Sequence, residues 1–153
     1  MAAAAAGEAI LDSIRPLTNG SSHPSYSLSD EQLSMLHFLY GKNLERAMRI
    51  LDQNGVYRIV GEPSKRVVFQ VVGESKNSEK YLCFPKHFCS CHSFFFDVVG
   101  RGEQLSCKHQ LAARIAEALE IRQHMVVPDE KLAILLFIKV QSREGYSCAI
   151  CNC

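Results

Sequence analysis

The chain has almost no excess of one charge: 17 lysines and arginines stand against 16 aspartates and glutamates in 153 residues. No strong global field draws it to nucleic acid or to an anionic membrane, so any nucleic-acid contact has to be local or shared with a partner. Long apolar runs are missing as well. The most apolar stretch, LAILLF at 132–137, falls far short of the ~20 residues that a membrane span needs. The Ala2 to Ala6 run is too short for a secretory signal core and has no basic region before it. There is no Ser/His/Asp set and no obvious pair of carboxylates, and the GRG at 100–102 lacks the strand and lysine context of a phosphate loop. These absences point to a non-enzymatic, soluble intracellular protein.

What the chain does have is cysteine, seven in all. In a reducing compartment such clusters bind metal more often than they form disulfides. Two tight pairs stand out, Cys89 with Cys91 and Cys107 with His109, with fifteen residues between them. Three thiolates and one imidazole make a closed tetrahedral set that suits one zinc ion and leaves no coordination position open for catalysis. A Cys-x-Cys pair can chelate only where the backbone turns or runs extended. Cys107 and His109, two apart, cannot face one another inside a regular helix, so the pair is expected to straddle a helix start. The amides there, together with Lys108, would favour thiolate charge. Cys83, His87 and His92 compete for the role but rank lower, and Cys83 sits in a strand pattern, where a free cysteine acts as a small hydrophobe.

Along the chain, residues 1–27 carry an alanine run and then TNGSSHPSYS, a cluster of turn formers, which predicts a disordered tail. Ile10, Leu11 and Ile14 could supply at most one helical turn that docks a partner. Ser29 with Gln32 three residues later is a capping-box pattern that opens the helix DEQLSMLHFLY. Leu33, Leu36 and Tyr40 share a face of it. Met35, Phe38 and Leu39 leave the rest apolar too, more than one small core can bury, and are candidates for a partner surface. A second helix, KNLERAMRILDQN, points Leu44, Met48 and Leu51 inward and stops at Gly55. His37 reads as a packed or surface residue.

Strands follow at 56–60, 66–72 and 80–84. Val67, Phe69 and Val71 share one face, and Val68, Gln70 and Val72 the other. The loops bring Lys65, Arg66, Lys76 and Lys80, a modest basic set that is either a solvated face or a phosphate contact. Phe94 to Phe96 are expected to pack a short helix over the metal. After His109 a helix carries Leu111, Ala112, Ile115 and Leu119 inward, with Gln110, Arg114 and Glu117 outside. Pro128, Asp129 and Glu130 open a last helix whose all-round apolarity predicts burial on several sides. Its Leu135, Phe137 and Ile138 are candidates for a second partner face. Cys148, Cys151 and Cys153 lie in a flexible Cys-rich tail over 141–153; a metal half-site needing a fourth ligand is the alternative.

The ligand pattern resembles the SWIM zinc-finger family, Cys-x-Cys, a variable spacer, then Cys-x-His-x-x-Ala, with Cys89, Cys91, Cys107, His109 and Ala112 all matching. The helical first half, the hairpin containing VVFQVVG, and the CSCHSFFF and CKHQLA segments are similar to the family that supplies the SWIM subunit of the Shu complex. The likeness covers roughly residues 28–140. It implies an α+β fold: a small antiparallel hairpin or sheet with a zinc-bound ββα unit over 80–121, flanked by helices in a single domain over 28–140. It further implies a nuclear subunit that binds a RecA-like recombinase paralogue and helps recombinase filaments assemble or persist on single-stranded DNA in homologous recombination and repair. The alternative is a zinc module that itself contacts single-stranded nucleic acid through Phe94 to Phe96 and the hairpin cations.

Overall fold

The alanine run at the N-terminus is helical. In the computed structural model, which describes residues 2–15, 28–74, 79–120 and 123–141, Ala2–Ser13 forms helix α1. The expectation of a disordered tail over 1–27 therefore fails for its first half; residues 16–27 lie outside the described ones. Alanine is the strongest helix former, but propensity alone does not hold so short a helix. Leu11 and Ile14 anchor it by burying completely in the core. In place of a turn that docks a partner, both residues dock within the chain.

Ser29 caps the next helix, α2 (Asp30–Tyr40), as its spacing predicts: its Oγ accepts the Gln32 N–H (3.1 Å), and Gln32 Oε1 accepts the Ser29 N–H (3.0 Å). Leu36 is buried, with Leu33 and Tyr40 packed beside it. Gly41, at φ +52°, makes the break before α3 (Lys42–Asp52). That helix buries Leu44, Ala47, Ile50 and Leu51, and Met48 packs against the same core.

The strands are β1 (Val56–Glu62), β2 (Val67–Val72), β3 (Lys80–Phe84), the two-residue β4 (Phe88–Cys89) and β5 (His124–Pro128). They form one sheet in the order β4-β3-β2-β1-β5. All neighbours are antiparallel except β5, which runs parallel to β1 with Ile59 opposite Met125. The sheet contains the three strands expected from sequence and extends them by β4 and β5, of which β5 is the strand that sequence patterning missed. Helix α4 (Lys108–Ala118) lies on one face with α1 to α3, over a core that includes Phe69, Val71, Leu111 and Ile115. The alternation read along β2 is realised, since Val68 points to the opposite face and joins Ile59, Leu82, Val127 and Leu132 in a second core. This second core is covered by α5 (Asp129–Gln141).

Helix α5 departs from its expected burial on several sides. Leu132 is buried and Leu135 and Leu136 are half-buried against the sheet, while Ile134, Phe137 and Ile138 are exposed. The face of the sheet that α5 covers receives only this one helix among the described residues. One side of the helix is enough to cover the second core, and the apolar residues on its other side stay outside.

Candidate metal centre

Each of the four predicted ligands is placed by a local structural reason. Cys89 ends β4, opposite Cys83 of β3. Ser90 then closes the hairpin, its N–H bonding Leu82 O (2.8 Å) and its Oγ accepting the Leu82 N–H (3.0 Å). The chain bends at Cys91 and enters a π-helical segment, Phe94–Gly100, whose first N–H, from Phe94, bonds Cys91 Sγ at 3.3 Å. Cys107 is the N-cap of α4, and His109 lies in that helix's first turn, so the pair straddles a helix start as its spacing requires. Cys107 Sγ accepts the Gln110 N–H (3.4 Å), and Gln110 Oε1 accepts the Cys107 N–H (3.3 Å).

These elements bring Cys89, Cys91, Cys107 and His109 together, with one ligand atom from each lying within 4.8 Å of all the others and all four residues buried. Tetrahedral zinc with Zn–S bonds of ~2.3 Å places its sulfurs about 3.8 Å apart, so the cluster is on the scale of one ion. The chemistry of the donors makes the same demand. Both imidazole nitrogens of His109 are buried with no hydrogen-bond partner, a cost that a metal bond at one of them removes. Hydrogen bonds from Cys107 and Cys89 push the Cys91 thiol far down, towards thiolate. Cys107, bonded to Cys89 and Cys91 and desolvated, is pushed far up. A metal bound by such a set takes the place of the thiol protons, since cysteine ligates as the thiolate. When bound, zinc supplies a cross-link between the β3–β4 hairpin and the start of α4.

The surroundings fix the ligands. The Tyr81 ring packs on the His109 imidazole with centroids 4.4 Å apart, and its hydroxyl donates to Glu79 Oε2 (2.7 Å). Burial and the Glu79 carboxylate push the Tyr81 hydroxyl up to about 12, so it stays protonated. Ala112, fully buried, follows one turn after His109. Lys108, expected to favour thiolate charge, pairs instead with Glu74 (2.5 Å). Asn43 Nδ2 donates to Gln104 Oε1 (2.6 Å) and Ser106 O (3.0 Å), tying the loop before Cys107 to α3. His87 and His92 are outside the cluster. Of the phenylalanine run, only Phe94 is buried. Phe96 lies between its neighbours, with the His92 ring stacked on it at 5.5 Å and the Arg101 guanidinium 4.3 Å from its centroid.

Other expectations are corrected. Gln110 and Arg114 were placed on the outside of α4 but are buried, because α1 covers that side. Arg114 Nη2 donates to Asp12 Oδ1 (2.6 Å) and Glu8 Oε2 (2.9 Å), both on α1. No local signal could reveal this, as the partners lie more than a hundred residues away. Among the described residues, the hairpin cations do not form one patch. Arg66 and Lys65 precede β2, with Lys65 paired to Glu62, while Lys80 is opposite Val72 at the other end of the same strand. Six residues of strand separate the two ends by about 20 Å. Lys76, like Cys148, Cys151 and Cys153, is outside the described residues. Among the partner-surface candidates, Met35, Phe38, Phe137 and Ile138 are exposed, and Leu39 and Leu135 are half-buried.

Comparison with known proteins gives a consistent set of relatives. The human protein named zinc finger SWIM domain-containing protein 7 is 33% identical over 116 residues, covering 75% of this chain and 81% of the relative. The mouse protein of the same name is 35% identical over 122 residues, 79% and 78% of the two chains. The zebrafish one is 36% identical over 110 residues, 71% and 76%. No family model matches the chain, and no solved structure matches it significantly.

Proposed function

The chain belongs to the zinc finger SWIM domain-containing protein 7 family, and on that premise we propose that it is the non-enzymatic, zinc-binding SWIM subunit of a Shu-type complex. In this reading it binds a RecA-like recombinase paralogue in the nucleus and promotes assembly or persistence of recombinase filaments during homologous recombination and DNA repair. The observation that carries an adaptor role is the apolar surface that the fold leaves uncovered. Phe38 on α2 is 89% exposed and Phe137 on α5 is 62% exposed, and each has an apolar neighbour beside it. Large aromatic side chains of this kind serve as anchors in protein interfaces.

The metal acts by linkage in this account. Zinc binds the folded ligand set, so its binding free energy becomes folding free energy, and a complete site is a condition for a competent partner surface. A buried site with four protein ligands offers no position to a substrate, which supports a structural role for the ion. Replacing Cys91 or His109 by alanine is expected to lower thermal stability and weaken the partner complex together, read by copurification and by thermal melts of the same preparations. Partner binding at full strength by a metal-free, unfolded variant contradicts the proposal.

A further inference from the structure

A fourth thiol adjoins the metal centre and has no part in the ligand set. Cys83 on β3 is fully buried and is the direct cross-strand partner of the ligand Cys89. Side chains at opposed positions of an antiparallel pair lie on the same face, and both thiols belong to the same buried core. The register sharpens the geometry. The Ser90 N–H bonds Leu82 O, so Leu82 and Ser90 occupy a hydrogen-bonded position of the ladder. Cys83 and Cys89, one step along, therefore occupy a non-hydrogen-bonded position, where opposed Cα atoms approach to ~4.5 Å. That separation falls within the Cα range of about 4.4–6.8 Å that a disulfide spans. The hairpin thus holds Cys83 where it can bond to Cys89 without moving the backbone.

We propose that Cys83 and Cys89 form a reversible oxidation site, in which a disulfide between them withdraws Cys89 from the metal and releases zinc. The oxidant is a hydroperoxide, small and neutral enough to enter a buried site. In the first step the Cys89 thiolate attacks the peroxide, the O–O bond breaks, and with one proton the products are Cys89 sulfenic acid and water, or an alcohol from an organic peroxide. In the second step the Cys83 sulfur attacks the sulfenic sulfur, its thiol proton leaves with the hydroxide as water, and the S–S bond forms. The two cysteine sulfurs together lose two electrons, and the peroxide gains them. Zinc departs as the dication because Cys89 no longer offers it a thiolate. Without a neighbouring thiol the sulfenic acid would proceed to irreversible higher oxides. Cys83 makes the loss recoverable by a dithiol reductant.

Trypsin separates the participants, since Lys80, Lys86 and Arg101 place Cys83 in the peptide 81–86 and Cys89 with Cys91 in the peptide 87–101. The test treats the zinc-loaded full chain with hydrogen peroxide, follows zinc with a chromophoric chelator, and maps the non-reduced tryptic peptides by mass spectrometry. The expected result is loss of one zinc per chain, with peptide 81–86 joined to 87–101 as the main linked product and recovery of zinc binding after dithiol and zinc are added. In Cys83→Ala the same treatment is expected to leave sulfinic or sulfonic acid in the peptide 87–101 and little recovery. Should that variant fold poorly, the wild-type peptide map still decides, because fragmentation of the linked peptides assigns the bond to Cys89 or to Cys91, and a bond to Cys91 overturns the proposal. A link within 87–101, a link from Cys107 or from Cys148, Cys151 or Cys153, or zinc loss with Cys83 still reduced each overturns the proposal.

Discussion

Arg114 on α4 holds Asp12 on α1, with Nη2 and Oδ1 2.6 Å apart across 102 residues of sequence. The arginine side chain is only 7% exposed, and it also bonds Glu8 and Glu117. This contact decides whether the N-terminal helix belongs to the domain. A guanidinium taken out of water needs charged partners, and α1 supplies two of the three. Arg114→Ala is expected to cost about 1–2 kcal/mol, the scale of a charged hydrogen-bonded group lost from a buried position. It is also expected to accelerate hydrogen exchange across Ala2–Ser13 more than across α4. Equal protection of α1 in the variant and the wild type would show that Leu11 and Ile14 hold the helix without help.

The Arg114 hydrogen bond, with Lys86 nearby, holds the Asp12 carboxyl below its ordinary value of 3.8. A depressed carboxylate contributes stability that is fully present above the unfolded value and is lost as pH falls through the lower folded value. The deficit of Asp12→Asn is therefore expected to be constant between about pH 5 and pH 8 and to vanish only below the usual carboxylate range. Parallel melting curves of the two proteins over that window check it. A gap that closes between about pH 8 and pH 5 would mean that another titrating group governs the contact.

Ala112 is small because α4 approaches the sheet closely where it carries His109 one turn earlier. Ala112→Leu is expected to cost about 1–3 kcal/mol by overpacking and to weaken zinc binding by moving the imbedded imidazole. Competition with a chromophoric chelator reads the second effect. Unchanged zinc affinity would show that helix and ligand move independently.

Stability and partner binding are separable on the exposed faces. Phe38→Ser touches no core and is expected to shift stability by no more than about 0.5 kcal/mol, while weakening the partner complex by ~2 kcal/mol or more if Phe38 is an anchor. Phe137→Ser tests α5 in the same way. Thermal melts paired with copurification resolve the two quantities for each variant. Full partner binding by both variants would remove these faces from the account.

Local chemistry was legible in the sequence where neighbours in the chain carry it. The Ser29–Gln32 capping box, the Gly41 break, the alternation along β2 and the helix start at Cys107 all rest on contacts within a few residues, and all are present. Helix α1 was not legible, because an alanine run does not show that Leu11 and Ile14 have a core to enter or that Arg114 awaits Glu8 and Asp12. Strand β5 was missed for a related reason: MVV before Pro128 is too short to announce a strand until β1 offers its edge in parallel. In α5 the apolar count suggests core or partner face alike; within the chain a helix lying on one face of a sheet buries one side only. The four ligands were legible because a metal site imposes its spacing on the sequence. Cys83 lies in a strand, as its pattern suggests, yet its place opposite Cys89 emerges only from the register.

Zinc-edge X-ray absorption on the purified full chain, with a metal count on the same sample, tests the central claim most directly. The account predicts one zinc per chain with three sulfurs at about 2.3 Å and one nitrogen at about 2.0 Å. An oxygen ligand, a fourth sulfur in place of the nitrogen, or a second zinc per chain would contradict it.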